Sequence, residues 1–129
     1  MNIQELADAL ASKDLNRYSV WFAEDMRLYT PIHEEPSNGK QTASQILPVV
    51  FSCFDNFQYI DVLTKQQTHA LFFRAEVNGI SLDGVDYVRT NDSGLVTEFY
   101  VMMRPLKAIT ELSDLIGIKM KQAKRNDNS

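Results

Sequence analysis

Ile3, Leu6, Ala7 and Leu10 recur at helical spacing and predict a first helix. A turn at Ser12-Lys13-Asp14 follows, and Asp14 is a suitable N-cap for a second helix carrying Leu15, Tyr18, Val20, Trp21 and Phe22. From Met26 to Ile32 the pattern changes to strand alternation, which Pro31 ends or bends. Residues 33–40 are rich in turn formers. A third helix is predicted over Thr42–Phe54, with Ile46, Leu47, Val50, Phe51 and Phe54 on one side and Pro48 as a kink or a late start. The second half alternates with period two. Strands are predicted over Phe57–Leu63, Thr68–Val77, Ile80–Thr90 and Leu95–Met103, with Asn78-Gly79 as a hairpin turn. A last helix spans Leu106–Met120, and residues 121–129 form a polar tail expected to fray.

Helices grouped early and a strand meander later predict a single α+β domain over residues 1–129. Composition adds exclusions. The chain is 44% hydrophobic and 23% charged, so disorder is not expected, and its net charge of −4 gives no reason to expect nucleic acid or an anionic membrane as partner. No run approaches the roughly 20 apolar residues of a membrane span. Met1-Asn2-Ile3-Gln4-Glu5 lacks a signal-peptide pattern, so a cytoplasmic location is expected. The single cysteine, Cys53, lies in an apolar run and reads as a core thiol. No metal-ligand spacing is present, and neither metal nor cofactor is expected.

Three segments resemble the nuclear transport factor 2-like superfamily, which includes ketosteroid isomerases and SnoaL-like polyketide cyclases. They are Lys13-Asp14-Leu15 with Trp21-Phe22-Ala23-Glu24-Asp25, Thr30-Pro31-Ile32 with Gly39-Lys40, and Asp86-Tyr87-Val88-Arg89 with Asn91-Asp92-Ser93-Gly94-Leu95-Val96. Val101-Met102-Met103-Arg104-Pro105-Leu106 resembles a branch with a helix after the last strand. The resemblance implies a cone: a strongly bent antiparallel sheet wrapped by N-terminal helices around an apolar pocket, with an extra C-terminal helix.

The resemblance also locates chemistry. At the position of the ketosteroid isomerases' catalytic base stands Thr30, which has no usable basicity, and at that of their oxyanion tyrosine stands Leu6, which cannot donate. Their second oxyanion donor, a protonated aspartate, matches Asp86. One of the three groups is kept, so the chain does not read as a ketosteroid isomerase.

Alternation identifies the walls. With Asp86 on the concave face, Leu82, Gly84 and Val88 share it, joined by His69, Leu71, Phe73 and Ala75, and by Phe99, Val101 and Met103. From the first half, Trp21, Leu28, Thr30, Phe51 and Phe54 complete the expected ligand pocket. An aspartate on this apolar face should have a raised pKa and serve as acid or oxyanion donor. The two histidines, His69 and His33, are the candidate bases. The outer face carries Arg74, Glu76, Glu98, Tyr100 and Met102, a mixture suited to a homodimer interface.

Two functions stay open. One is a small-molecule pocket protein, including an isomerase-, cyclase- or dehydratase-like enzyme acting on a small apolar carbonyl or hydroxyl compound. The other is a non-catalytic ligand-binding or protein-interaction module.

Overall fold

The computed structural model describes residues 2–127, and the last two positions of the predicted tail lie outside them. Helix α1 (Ile3–Ala11) turns Leu6, Ala7 and Leu10 inward, and the Asn2 side chain caps it by accepting from Gln4 N at 2.9 Å. Asp14 caps α2 (Leu15–Tyr18) by accepting from Asn16 N at 3.0 Å. This second helix is shorter than predicted. A 3-10 turn over Ser19–Trp21 hands the chain to strand β1 (Phe22–Tyr29), which starts earlier than the predicted Met26.

After β1 comes a two-residue strand, β2 (Ser37–Asn38), then helix α3 (Lys40–Ser52) with Pro48 inside it. The helix begins at Lys40 rather than Thr42 because Gly39, at φ +94°, turns the chain out of β2. That conformation suits glycine. Strands β3 (Asp55–Lys65), β4 (Thr68–Val77), β5 (Ile80–Thr90) and β6 (Val96–Arg104) form an antiparallel meander. Asn78 (φ +47°) and Gly79 (φ +79°) give the β4–β5 turn the two left-handed residues of a type I′ hairpin.

The sheet order is β2-β1-β6-β5-β4-β3. The expectation of a wholly antiparallel sheet is corrected here, because β1 runs parallel to β6. A strand joined to the meander through α3 rather than a tight turn has no hairpin to impose antiparallel pairing. The fold is an open α+β cone of mixed sheet and four helices.

The inner face follows the predicted alternation: Leu71, Phe73, Ala75 and Val77 of β4, Leu82 and Val88 of β5, and Phe99 and Val101 of β6 are all buried. Gly84 has its own reason to be glycine. A Cβ there would run into the Phe73 ring and come within 2.7 Å of the Met102 carbonyl oxygen.

Helix α4 (Leu106–Asp127) runs past the predicted end at Met120 and lies across the wide end of the cone. Its own Ala108 and Leu112 are buried against the core. Among the described residues, no helix is long and apolar enough to cross a membrane.

Candidate functional site

Strand register brings the candidate residues into rows. Asp86 stands opposite Leu71 on β4, which faces Val62 on β3, and opposite Val101 on β6. Leu28 and Tyr29 of β1 pair with Phe99 and Tyr100, so Thr30, just past the strand, continues toward Val101. The next row toward α4 is Tyr59, Phe73, Gly84 and Met103.

Asp86 is 3% exposed on this apolar face. A buried carboxyl needs a partner, and Tyr59 supplies it: the phenol donates to Asp86 Oδ2 at 2.6 Å. Tyr59 reaches the interior because β3 bulges. The register slips between Tyr59 and Asp61, so Tyr59 and Val62 both pack inward although their positions have opposite parity. Phe57 lies edge-on to Tyr59 at 5.0 Å and Phe73 at 6.2 Å, so the pair sits within an aromatic wall.

Burial pushes the Asp86 carboxyl up to about 7, against the Tyr59 hydrogen bond, which favours the charged form. Burial also raises Tyr59 well above the usual phenol range, with the Asp86 charge and hydrogen bond adding to it. Below neutral pH the pair therefore keeps a proton that a free aspartate would already have lost. A protonated Asp86 is an acid and hydrogen-bond donor held in an apolar cage.

The other candidate groups lie apart from it. His69 is 8% exposed, one row nearer α1, and both ring nitrogens face hydroxyls: Nδ1 is 2.8 Å from Thr64 Oγ1 and Nε2 is 3.4 Å from Thr90 Oγ1. Thr90 in turn donates to the Gln67 carbonyl at 3.4 Å, an arrangement that suits an imidazole donating from Nε2–H to Thr90 and accepting from Thr64 at Nδ1. Burial lowers the His69 pKa, which favours the neutral imidazole. His33 is exposed on the loop after β1. The structure thus does not bring His69, His33 and Asp86 together.

Of the expected pocket lining, Leu28, Phe51, Phe54, Leu71, Phe73, Leu82, Val88, Phe99 and Val101 are buried, while Trp21, Thr30 and Met103 are half-buried. They line little space. Between Thr30, Leu47, Val50, Val101, Leu112 and Ile116 remains a void of about 10 Å³, the room of one water molecule at most. The C-terminal helix covers this seam with Leu112 and Ile116.

Tyr18 is also wholly buried, between the rings of Phe22 and Phe51, and its hydroxyl finds no partner among the described residues. Burial, then the Asp14 charge, pushes it up to about 12. Cys53 is buried, with its thiol 3.3 Å from the Val49 carbonyl oxygen, and burial raises its pKa. Among the described residues no three His, Cys, Asp or Glu side chains converge on a metal position.

The sequence reading missed Tyr59. A phenol between Gln58 and Ile60, two residues after Phe57, looks like one more strand aromatic, and only the bulge turns it inward.

No family model and no curated protein matches the chain. Solved structures do. The chain is similar to an uncharacterised protein with a cystatin-like fold from Silicibacter pomeroyi, at 27% identity and a TM-score of 0.90 over 95% of this chain and 87% of that one. It is similar to a steroid delta-isomerase from Pseudomonas aeruginosa, at 26% identity and a TM-score of 0.90 over 95% and 91% of the two chains. An NTF2-like protein of unknown function from Burkholderia xenovorans shares the fold at 13% identity and a TM-score of 0.69, over 78% of each chain. With the element order, the bent sheet and these neighbours agreeing, the chain has the nuclear transport factor 2-like fold.

Proposed function

We propose that this chain holds a small, mostly apolar molecule through its carbonyl or hydroxyl oxygen, with Asp86 as the hydrogen-bond donor and Tyr59 as the residue that positions it. The observation carrying this reading is the 2.6 Å hydrogen bond between the buried Asp86 carboxyl and the half-buried Tyr59 on an apolar sheet face. A buried carboxyl costs stability, and packing alone would favour an apolar residue in its place. The likeness to a steroid delta-isomerase supports a pocket of this chemistry.

The reading is of binding and polarisation rather than complete isomerisation. Proton transfer needs a base within hydrogen-bond reach of the ligand. Thr30 offers none, the His69 nitrogens are engaged by Thr64 and Thr90, and His33 is exposed on its loop.

Fluorescence titration with 2-naphthol, an apolar ring bearing one oxygen, tests the proposal. Wild type should bind, and Asp86→Leu should weaken binding about tenfold or more, equivalent to about 1.4 kcal/mol. Equal binding by both proteins would refute it. A β,γ-unsaturated 3-ketosteroid should not be isomerised.

A second proposal concerns the outer face, which a second copy of this chain would cover. Met102 is 50% exposed there, beside Tyr100, which stacks on Tyr29 at 4.0 Å. Around this apolar centre run Arg27–Glu98 at 2.7 Å, Arg74–Asp83 at 3.3 Å and Arg104–Asp83 at 3.1 Å. An apolar centre rimmed by both signs of charge is self-complementary under a two-fold axis.

A further inference from the structure

We propose that α4 is a lid, whose withdrawal from the wide end of the cone opens the route to Asp86. The proposal rests on the ligand reading above for its purpose, while the motion itself is a property of the free chain.

The sealed mouth sets the problem. Leu112 and Ile116 reach down onto a wall made by Thr30, Leu47, Val50 and Val101, and the space left is about 10 Å³. Pockets for organic ligands run to roughly 300 Å³ and more. Val101 is the strand partner of Asp86, so this is the side from which the carboxyl lies nearest to a closed seam. No ligand reaches it unless an element moves.

The elements differ in what moving them would disturb. Helices α2 and α3 lead on into β1 and β3, so displacing either pulls on a strand, while α1 buries Leu6 and Leu10 in the core and contributes no residue to this seam. Helix α4 joins the sheet through Pro105, and among the described residues no strand follows it. Its apolar contact is a single stripe, Ala108, Leu112, Leu115 and Ile116, at the spacing of one helix face. Its polar anchors beyond that stripe lie in solvent. Asn78 Nδ2 donates to Glu111 Oε1 at 2.7 Å, and Lys119 Nζ donates to the carbonyl oxygen and hydroxyl of Ser52, both at 3.0 Å. Exposed hydrogen bonds of this kind exchange with water at little cost. Past Lys119, residues 120–125 are exposed.

Lifting the stripe therefore removes a contiguous apolar plug while the sheet ladder stays intact. The plug occupies the place a ligand's apolar body would take, so a ligand replaces it rather than adding to it. Local opening of this kind is drawn from elements with few buried contacts and exposed hydrogen bonds.

Two measurements test the lid. First, hydrogen exchange on the free chain: amides of residues 110–118 should show protection lower by about tenfold or more than those of β5 and β6. Second, a cleavable bis-maleimide joins Asn78→Cys to Glu111→Cys in a Cys53→Ala background, tying α4 to the β4–β5 turn. The tied protein should take up 2-naphthol about tenfold more slowly than the same protein after cleavage. Protection of α4 equal to that of β5, or equal uptake before and after cleavage, would overturn the proposal. Early exchange of α4 in a protein that never binds 2-naphthol would uphold the opening and place the failure in the ligand reading.

Discussion

Asp86→Asn should convert a pH-dependent fold into one that is less so, and the size of the change follows from the structure. In the unfolded chain this carboxyl titrates near 3.8, while in the folded chain burial pushes it up to about 7. Between those values the folded state keeps a proton that the unfolded state has released, so stability falls as pH rises. The loss is about 1.4 kcal/mol per pH unit, and the shift corresponds to roughly 4 kcal/mol in all, complete above the folded value. Below 3.8 both states are protonated and the group imposes no penalty. Asparagine keeps an acceptor for the Tyr59 hydroxyl but buries an amide NH₂ without a known acceptor, at a cost of about 1–3 kcal/mol. The two effects have opposite sign, so the stability difference between variant and wild type should cross zero. Near pH 4.5, where wild type has lost only about 1 kcal/mol, the variant should be less stable by up to about 2 kcal/mol, and near pH 8.5 it should be more stable by roughly 1–3 kcal/mol. Urea unfolding followed by the fluorescence of Trp21, the only tryptophan, measures both proteins across that range. Taking the difference cancels the carboxylates they share. A difference that stays flat with pH, or a variant that loses ground to wild type as pH rises, would refute the reasoning about Asp86 and its cage.

Other perturbations test neighbouring parts of the site. Tyr59→Phe removes the phenol that favours the charged form of Asp86, so an NMR titration should find the carboxyl higher still, with a stability loss of about 1–3 kcal/mol; an unchanged or lower value would contradict the pairing. Gly84→Ala forces a methyl against the Phe73 ring and the Met102 carbonyl, and should cost about 1–3 kcal/mol by urea denaturation, whereas an unaffected midpoint would mean that strand and ring part easily. Met102→Asp buries a charge at the proposed dimer centre, so sedimentation at micromolar concentration should find dimeric wild type and monomeric variant; a monomeric wild type would dispose of that interface.

The meander was legible because its constraints are local. Period-two alternation and the Asn78-Gly79 turn together specify which residues of β4 and β5 share a face, and those two strands begin and end where the pattern predicts. A one-residue slip would have put Phe73 and Leu71 in water and Arg74 in the core, so the apolar pattern tolerates only one register. The parallel pairing of β1 with β6 is a different kind of fact. It depends on where α3 returns the chain, and nothing in the alternation of β1 distinguishes a parallel neighbour from an antiparallel one.

The candidate site divides along the same line. Asp86 stands out in the sequence because alternation surrounds it with apolar residues. Tyr59 does not, because alternation carried from Val62 through β3 turns it outward, and only the slip between Tyr59 and Asp61 reverses that. A bulge changes two features at once: it leaves Ile60 exposed, and it turns a phenol toward a carboxyl two strands away. The filled mouth was illegible for a third reason. Pattern assigns residues to faces, whereas the volume left between faces depends on how closely α4 settles onto them. The stripe that makes α4 recognisable as an amphipathic helix is the same stripe that closes the cone over Thr30 and Val101. Chemistry and closure are therefore encoded in different elements: a bulge in β3 completes the hydrogen-bonding pair, and the last helix closes the seam beside it.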